Sequence, residues 1–331
     1  MKQIQSTIVE EIVAGNRRAV ARAISLVENE EDGAQSVLHD LFRYTGGGYR
    51  IGMTGPPGAG KSTLTNKLAR YYRRNGLRVG IIAVDPTSPF TGGALLGDRV
   101  RMTDVELDDG VFIRSMASRG SLGGLSKKAK EAADILDAAG NDLILLETVG
   151  VGQSELDIAG AADTTVVVLV PESGDGIQAM KAGLMEIADF FVLNKSDRPG
   201  ADQAVQSIKM ILGFRQPLEP HQHQWTPDVV KTVGSDGKGI EEVAGYIGSH
   251  RDFLTTTGGL VQKRAKRLER RIRELVEEQL QVDFWTPRRT EALKRELQWV
   301  VEKGQTPYEL AAELIADFKK HSQIKSEGHH G

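Results

Sequence analysis

The distribution of apolar residues changes character twice along the chain. Over the first 44 residues apolar side chains recur at helical spacing, as in Ile8, Ile12 and Val13, and predict two or three helices. From Tyr49 short β-rich apolar runs alternate with helical stretches. After about Thr257 a long charged helical pattern begins. The pattern therefore predicts a helical segment, an α/β domain and a second helical segment.

The middle region contains seven apolar runs that we interpret as strands. They are YRIGMTG, LRVGIIAVD, VFIRSM, LILLET, TVVVLVPE, FFVLNK and VVKTV. Strands that alternate with helices pair in parallel through crossover helices, which predicts a doubly wound, mostly parallel α/β sheet. Ligands of such sheets bind beyond the carboxyl ends of the strands. We expect an N-terminal helical extension over 1–48, the sheet domain over 49–256, a C-terminal helical region over 257–325 and a disordered tail over 326–331.

The C-terminal helical region carries a narrow apolar seam, whose residues are separated by alternating steps of four and three. Its members are Val261, Ala265, Leu268, Ile272 and Leu275. Heptad spacing is typical of a helix that packs on one neighbour, and two alternatives stay open: packing within the chain and pairing across a dimer. Basic residues of the same helix are interleaved with glutamates. Their pattern favours ordinary ion pairs along the helix over nucleic-acid binding.

Composition excludes several classes of function. The 42 basic and 45 acidic residues among 331 give a formal net charge of -3, so no global field directs the protein toward nucleic acid or membranes. The chain has no cysteine, which removes disulfides, thiolate metal sites and cysteine nucleophiles. It shows neither an apolar signal core nor the run of about 20 apolar residues that spans a bilayer. We expect a cytoplasmic protein that does not bind membranes.

The stretch GPPGAGKS, residues 55–62, lies between the first predicted strand and a predicted helix. It matches G-x-x-x-x-G-K-S, the loop whose backbone N–H groups and following helix surround nucleotide phosphates. We expect Lys61 to reach the β- and γ-phosphates, Ser62 to bind Mg²⁺ and Thr63 to hold the α-phosphate. The predicted nucleotide contacts of this loop are Gly55, Pro56, Pro57, Gly58, Ala59, Gly60, Lys61, Ser62 and Thr63.

Three acidic residues near strand ends are predicted metal residues. Asp85 ends the second strand, Asp98 lies in the polar loop after it, and Glu147 ends the apolar run LILL. A carboxylate at the end of an apolar strand is costly unless it faces a cation or its waters, and Mg²⁺ prefers oxygen ligands. With Ser62 these residues form the predicted Mg²⁺ set, and Lys61, Asp98 and Glu147 are predicted catalytic residues. A turn role for Asp85 and a cap role for Asp98 remain alternatives.

The stretch NKSD, residues 194–197, follows the apolar run FFVL and predicts the base. Guanine presents N–H donors at N1 and N2 that the Asp197 carboxylate accepts, whereas adenine offers an acceptor at N1. We expect Asn194 to reach the base and tie loops together, and the stem of Lys195 to cover the base. The less regular loop TVGSDGKG contributes the remaining predicted base contacts, which are Val233, Gly234 and Ser235.

The stretch ETVGVGQSE, which begins at Glu147, resembles the second nucleotide-sensing loop of a GTPase. Gly150, three positions after the acid, is a predicted nucleotide contact. Val151 stands where many signalling GTPases have a glutamine that orients the attacking water. We therefore expect slow hydrolysis by the chain alone and stimulation by a partner, with Lys181 or Arg101 able to supply the missing positive charge.

Five loop sequences together resemble those of one GTPase family. They are DPTSPFTGGALLGDRVRM, RGSLGGLS, ETVGVGQSE, PESGDGIQAMKAG and NKSD, in that order. Over about residues 5–315 the chain is similar to the methylmalonyl-CoA-mutase-associated GTPases, also labelled ArgK-like, which belong to the metallocofactor-maturation GTPases. The family typically opens its third switch with Pro-Gly, whereas this chain has Pro171 and Glu172.

The resemblance implies a P-loop GTPase that uses GTP, GDP and Mg²⁺ to serve an adenosylcobalamin-dependent acyl-CoA mutase. Such a protein gates cobalamin loading and the release of inactivated cofactor, and it forms a homodimer through its C-terminal helices. The resemblance assigns switch roles to Asp85, Asp98 and Glu147, and a relay role in the third switch to Asp175 and Lys181. The chain lacks the D-x-H start of the common cobalamin-ligating motif, so we expect the partner mutase to hold the adenosylcobalamin.

Three other classes of function stay open. One is an ATPase or kinase that serves amino-acid transport, after an older label of the family. Another is a metal-delivery GTPase, although the nearest metal-binding pattern is the short tract HQHQW with His221 and His223. The third is a structural adaptor with a degenerate site, which the intact phosphate loop disfavours.

Overall fold

A computed structural model describes residues 2–85, 105, 107–117, 127–148, 154–172, 183–213 and 224–327. The residues discussed above that lie outside this described part are Asp98, Arg101, Gly150, Val151, Asp175, Lys181, His221 and His223. The chain divides into two units, residues 1–264 and 265–331.

Seven parallel strands form one sheet in the first unit. They are β1 (Tyr49–Thr54), β2 (Val79–Asp85), β3 (Val111–Ala117), β4 (Leu143–Thr148), β5 (Thr164–Leu169), β6 (Phe190–Leu193) and β7 (Val229–Lys231). Their spatial order is β3-β2-β4-β1-β5-β6-β7, and every neighbouring pair is parallel. All seven predicted strands are present, and the predicted doubly wound α/β class is confirmed.

Eight helices and two single turns complete the described part of this unit before a ninth helix begins. The helices are α1 (Lys2–Val13), α2 (Arg17–Glu28), α3 (Ala34–Leu41), α4 (Lys61–Arg74), α5 (Lys127–Ala138), α6 (Ser154–Ala161), α7 (Ala201–Gly213) and α8 (Ile240–Thr256). The turns are Phe42–Tyr44 and Met185–Ile187. The ninth helix, α9 (Gly259–Phe284), continues into the second unit.

Both faces of the sheet are buried, and alternate residues of one strand enter different cores. In β4, Ile144 and Leu146 join a cluster with the N-terminal helices and α5, whereas Leu143 and Leu145 join a cluster with α4 and α8. Strand side chains alternate between faces, so a sheet covered on both sides needs continuous apolar strands. The predicted N-terminal helices therefore form part of the core around the sheet.

A buried hydrogen-bonded chain lies at the amino edge of the sheet. The hydroxyl groups of Tyr49 in β1 and Thr164 in β5 lie 2.6 Å apart, and Thr164 Oγ1 lies 2.8 Å from His250 Nδ1 of α8. His250 Nε2 lies 3.4 Å from Asp189 Oδ1, and Lys263 Nζ donates to Asp189 Oδ2 at 3.0 Å. The chain connects the strand starts with the first turns of α9.

The turn TGGG before β1 is held from two sides. Asp137 of α5 accepts hydrogen bonds from the N–H groups of Gly46 and Gly48, both at 2.8 Å. Arg264 of α9 donates to the carbonyl oxygens of the same two glycines at 2.6 and 2.9 Å, and pairs with the fully buried Asp163 at 2.9 Å. These contacts satisfy backbone groups that would otherwise lack partners near the core.

The second unit contains the rest of α9 with α10 (Pro287–Val301) and α11 (Pro307–Glu327). Among the described side chains of this unit, the charged one that is buried is Arg289. The Arg289 guanidinium lies over the rings of Phe284 and Phe318 and pairs with Asp317 at 3.1 Å. The Thr286 side chain caps α10, which begins at Pro287. Across both units, the described helices include none that is long and apolar enough to cross a membrane.

The pH dependence of stability is expected to report on His250. Burial lowers the pKa of His250 from its ordinary value of 6.5; the charge of Asp189 opposes this shift and that of Lys263 adds to it. The unfolded chain then binds more protons, so the free energy of unfolding should decrease as pH falls through about 6.5, by up to ~1.4 kcal/mol per pH unit. Urea unfolding between pH 7.5 and 5.5 measures this slope.

His250→Gln should flatten that slope, whatever its effect on absolute stability. Replacement of the exposed His39 by Gln is the matched control and should retain the slope of the parent protein. An unchanged slope in His250→Gln would contradict the assignment.

Candidate nucleotide-binding site

The phosphate loop leaves β1 through a glycine that contacts the neighbouring strand. Gly55 has φ 132°, and a Cβ placed on it would lie 2.0 Å from the carbonyl oxygen of Val168 in β5. No side chain fits there without a shift of the backbone. Pro57 and Gly58 form the exposed apex of the loop, and Ala59 is buried below it. The glycine at position 55 thus lets the loop turn directly over the end of the sheet.

Lys61 begins α4 and lies across the loop that precedes it. Its ammonium group donates to the carbonyl oxygens of Gly55 at 2.8 Å and Pro56 at 3.0 Å, and the residue is buried. Ser62 and Thr63 follow in the first helical turn. Free backbone N–H groups and the positive end of the helix dipole occur at such a terminus, an arrangement that favours anions.

Glu147 lies next to the first turn of α4. In β4 it pairs with Met53 of β1 and Ala83 of β2, close to the carboxyl end of the sheet. Ser62 Oγ donates to Glu147 Oε1 at 2.5 Å, and both residues are buried. The structure therefore brings together two of the four residues predicted to form the Mg²⁺ set, 85 positions apart in sequence.

The donors present fit a magnesium ion. The Ser62 hydroxyl and the Glu147 carboxylate supply only oxygen, which Mg²⁺ prefers. Asp85 ends β2 at the same edge of the sheet, since its neighbour Val84 pairs with Thr148. Ser62 would bind the ion through an oxygen lone pair while its O–H group continues to donate to Glu147, which thereby orients the hydroxyl. Asp98 lies outside the described residues, so its metal role stays a prediction.

Asn194 connects three loops through one carboxamide. Its Nδ2 donates to the carbonyl oxygen of Ala59 in the phosphate loop at 2.8 Å. Its Oδ1 accepts from the Gly234 N–H and from the Thr232 hydroxyl, both at 3.0 Å. A Cβ on Gly60 would lie 2.3 Å from Nδ2, which shows how closely the loops approach. The expected tie between loops is thus visible as three hydrogen bonds to protein groups.

The rest of the NKSD turn is held against the same two loops. Lys195 adopts φ 56°, in the left-handed region, and its ammonium donates to the Gly58 carbonyl oxygen at 2.8 Å. Ser196 donates to the Thr232 carbonyl oxygen from both its N–H and its hydroxyl, each at 3.0 Å. Asp197 is exposed. Its carboxylate is therefore accessible to a ligand beside the phosphate loop.

The loop TVGSDGKG forms a tight turn next to Asn194. The Val233 N–H donates to the Lys238 carbonyl oxygen at 3.1 Å, and the Ser235 hydroxyl donates to Asp236 at 2.9 Å. Gly234 contacts Asn194 directly. This loop therefore lies beside the NKSD turn.

Sequence reasoning missed Thr232, which interacts with both Asn194 and Ser196. Its hydroxyl and carbonyl hold the NKSD turn, but a threonine at the end of a strand carries no motif of its own. Gly150 and Lys181 lie outside the described residues. Their predicted roles, like the nucleotide contacts themselves, stay predictions.

A parallel sheet that carries a G-x-x-x-x-G-K-S loop before a helix defines a P-loop nucleotide-binding protein. The family profile described as methylmalonyl-CoA mutase-associated GTPase MeaB matches residues 20–288, and the chain belongs to this family. The predicted family is therefore confirmed.

Individual relatives agree with this assignment. A Pyrococcus abyssi protein with a GTPase name is 52% identical over 269 residues, which cover 81% of this chain and 83% of the relative. GTPase ArgK of Escherichia coli is 37% identical over 270 residues, 80% of this chain and 82% of that protein. A solved structure described as a LAO/AO transport system kinase is 28% identical with a TM-score of 0.71, and the match covers 96% of this chain and 99% of that one.

The Gly55→Ala variant should be much less stable than Gly58→Ala. Both glycines have positive φ, but a Cβ at Gly55 would overlap the Val168 carbonyl oxygen, whereas one at Gly58 would meet nothing within 4 Å. We expect the free energy of unfolding to decrease by about 3 kcal/mol or more in Gly55→Ala, from overlap and backbone strain together. In Gly58→Ala it should decrease by about 1 kcal/mol, from backbone strain alone. Urea unfolding measures both, and equal losses would contradict the close approach of β1 and β5.

Proposed function

We propose that the chain is a GTPase that acts as chaperone of an adenosylcobalamin-dependent acyl-CoA mutase of the methylmalonyl-CoA type. Hydrolysis of GTP to GDP and phosphate would gate cobalamin loading and the release of inactivated cofactor. The observation that carries this proposal is the meeting of the phosphate loop, the Ser62–Glu147 pair and the NKSD turn at one sheet edge, in a chain of the MeaB family.

Preference for guanine would come from Asp197. Asn194 and Lys195 anchor the NKSD turn to the phosphate loop, so a base whose phosphates occupy that loop would lie near the exposed carboxylate. A carboxylate accepts both donors on the Watson–Crick edge of guanine and repels the N1 acceptor of adenine. The Lys195 stem would cover the base.

The phosphate chemistry would depend on groups that are already in place. The Lys61 ammonium, which lies over the loop, would donate to β- and γ-phosphate oxygens and stabilise the charge of the transferring phosphoryl group. Ser62 would hold Mg²⁺, with Glu147 orienting its hydroxyl, and Asp85 and Asp98 would complete the set. When bound, the ion would neutralise charge on the phosphate oxygens. A water molecule would attack the γ-phosphorus and GDP would leave.

Hydrolysis by the chain alone would be slow. Val151 cannot orient the attacking water as a glutamine does, and missing transition-state groups of this type are worth about 10³–10⁵ in rate. The mutase would then act by ordering the loops that carry Lys181 or Arg101. The adenosylcobalamin would stay bound to the mutase, and the GTPase would respond to the state of that complex. Both proteins would act in the cytoplasm.

Steady-state hydrolysis with a cognate acyl-CoA mutase tests this function. We expect GTP turnover to be slow for the chain alone and to rise by at least about 10-fold when the mutase is added, with about 10³- to 10⁵-fold as the gain that fully completed GTPase sites reach. Lys61→Ala should abolish turnover with and without the mutase, because it removes the phosphate-binding ammonium.

Two outcomes of that experiment would contradict the proposal. Faster turnover of ATP than of GTP would favour the alternative of an ATPase or kinase that serves amino-acid transport; the 28% identical structure is described as a LAO/AO transport system kinase. GTP turnover that the mutase does not change would remove the chaperone role. Pull-down with the protein loaded with a GTP analogue would identify the mutase.

A homodimer through the C-terminal helices is part of the proposal. All five residues of the heptad seam are exposed in the single chain, Ile272 by 61%. In the second unit the buried apolar side chains among the described residues are Leu310 and Leu314. Its exposed large apolar residues are Leu268, Ile272, Leu275, Val276, Leu280, Val282, Trp285, Leu297, Trp299, Val301, Tyr308 and Ile315. An apolar surface of this extent supports an interface rather than a solvated helix.

Ile272→Glu is expected to convert the dimer to monomer, because a carboxylate in the seam would be buried without a partner. Analytical ultracentrifugation measures the mass, and circular dichroism checks that helix content is retained. Gln281→Glu adds the same charge on the opposite face of α9 and should stay dimeric. A dimer of unchanged affinity in Ile272→Glu would place the interface elsewhere.

A further inference from the structure

An ion pair connects the end of β5 with the NKSD turn. Glu172 lies three positions after β5, and its carboxylate Oε1 is 2.7 Å from the guanidinium Nη1 of Arg198. Arg198 directly follows Asp197, the residue predicted to contact guanine. The hydrogen bond from Arg198 lowers the pKa of the Glu172 carboxyl group, so the contact favours its charged form.

The NKSD turn needs restraints because part of its backbone is strained. Lys195 has φ 56°, which L-residues with a side chain seldom adopt unless the surroundings hold them there. On one side the turn is tied to the phosphate loop, through Lys195 and the Gly58 carbonyl oxygen. On a second side Ser196 is tied to Thr232. Asp197 itself is exposed, so its position depends on the residues on either side of it.

We propose that Glu172 is a positioning residue for guanine recognition. Glu172 fixes the position of Arg198, the residue that directly follows Asp197. The Asp197 carboxylate is then held so that it faces the N1 and N2 donors of the base. The inference rests on the proposed GTPase function and names a residue outside the motifs on which that function depends. Glu172 does not touch the nucleotide in this scheme.

The size of the effect follows from exposure. The side chains of Arg198 and Glu172 are 46% and 49% exposed, so water and salt weaken their attraction. Exposed ion pairs change equilibria by about 1.4- to 5-fold. Loss of the pair should therefore weaken guanine binding by about 2- to 5-fold, and the effect should disappear in high salt.

Equilibrium binding of fluorescent GDP, IDP and ADP to the full-length chain tests the assignment. Inosine lacks the N2 amino group and can donate only one hydrogen bond to Asp197. Glu172→Gln and Arg198→Gln should each raise the Kd for GDP about 2- to 5-fold and the Kd for IDP by less. The double variant should have a Kd for GDP no higher than that of the single variant that binds more weakly. The charge exchange, Glu172→Arg together with Arg198→Glu, should restore part of the preference for GDP.

Lys209→Gln is the matched control. It removes the Lys209–Asp228 ion pair, which is 3.0 Å long and has side chains of similar exposure, 47% and 39%. Asp228 precedes β7, at the edge of the sheet opposite the NKSD turn. This variant should bind GDP and IDP like the parent protein.

The outcomes separate this inference from the proposed function. If the parent protein binds guanine nucleotides no more tightly than adenine nucleotides, the proposed GTPase function fails. If it prefers guanine but both single variants keep its Kd values and its salt dependence, Glu172 has no positioning role. Additive losses in the double variant would also overturn the assignment, because two residues that act through one bond are not independent.

Discussion

Burial of a parallel sheet on both faces is the constraint on which the molecule depends. Each strand must be apolar throughout, as the alternation of Leu143 and Leu145 with Ile144 and Leu146 between two cores shows. Parallel neighbours also need crossover helices, so every strand of this sheet ends at the same edge. The phosphate loop after β1, the turns after β6 and β7 and Glu147 near the end of β4 therefore meet there, whatever their distance along the chain. The chemistry of the site is a consequence of how the core is covered.

At that edge, one buried carboxamide organises the loops. Asn194 donates a hydrogen bond to the phosphate loop and accepts two from the segment after β7, and its removal would leave buried polar groups of both loops unpaired. The hydrogen bond between Ser62 and Glu147 connects the first turn of α4 to β4 on the side of the predicted metal site. Protein groups thus hold the phosphate loop and the base turn at a set distance, and a nucleotide needs little rearrangement of these parts to bind. Regulation would then reside in the loops that carry the switch residues.

Local sequence patterns were sufficient for the strands, the phosphate loop and the position of Glu147. Apolar runs of four to seven residues between helical stretches are a strong signal, because a strand buried on both faces tolerates few polar residues. The contacts that complete the site join residues far apart in sequence, such as Asn194 with Ala59, 135 positions away, and Arg264 with Gly46, 218 positions away. Neither partner of such a pair carries a motif for the other. Thr232 and the Glu172–Arg198 pair were missed for this reason.

The sequence by itself determined the class of fold, the family and the residue types of the phosphate and base motifs, since these depend on local spacing and on side-chain chemistry. Tertiary structure alone decided which oxygen of which loop each side chain meets. Asn194 was expected to tie loops and to reach the base; the fold shows its amide engaged by Ala59, Thr232 and Gly234. The seam around Ile272 was compatible with packing within the chain or with a dimer, and its exposure supports the second. The physical reason is the same in both cases: a hydrogen bond or a buried surface depends on distances in space, which spacing along the chain does not specify.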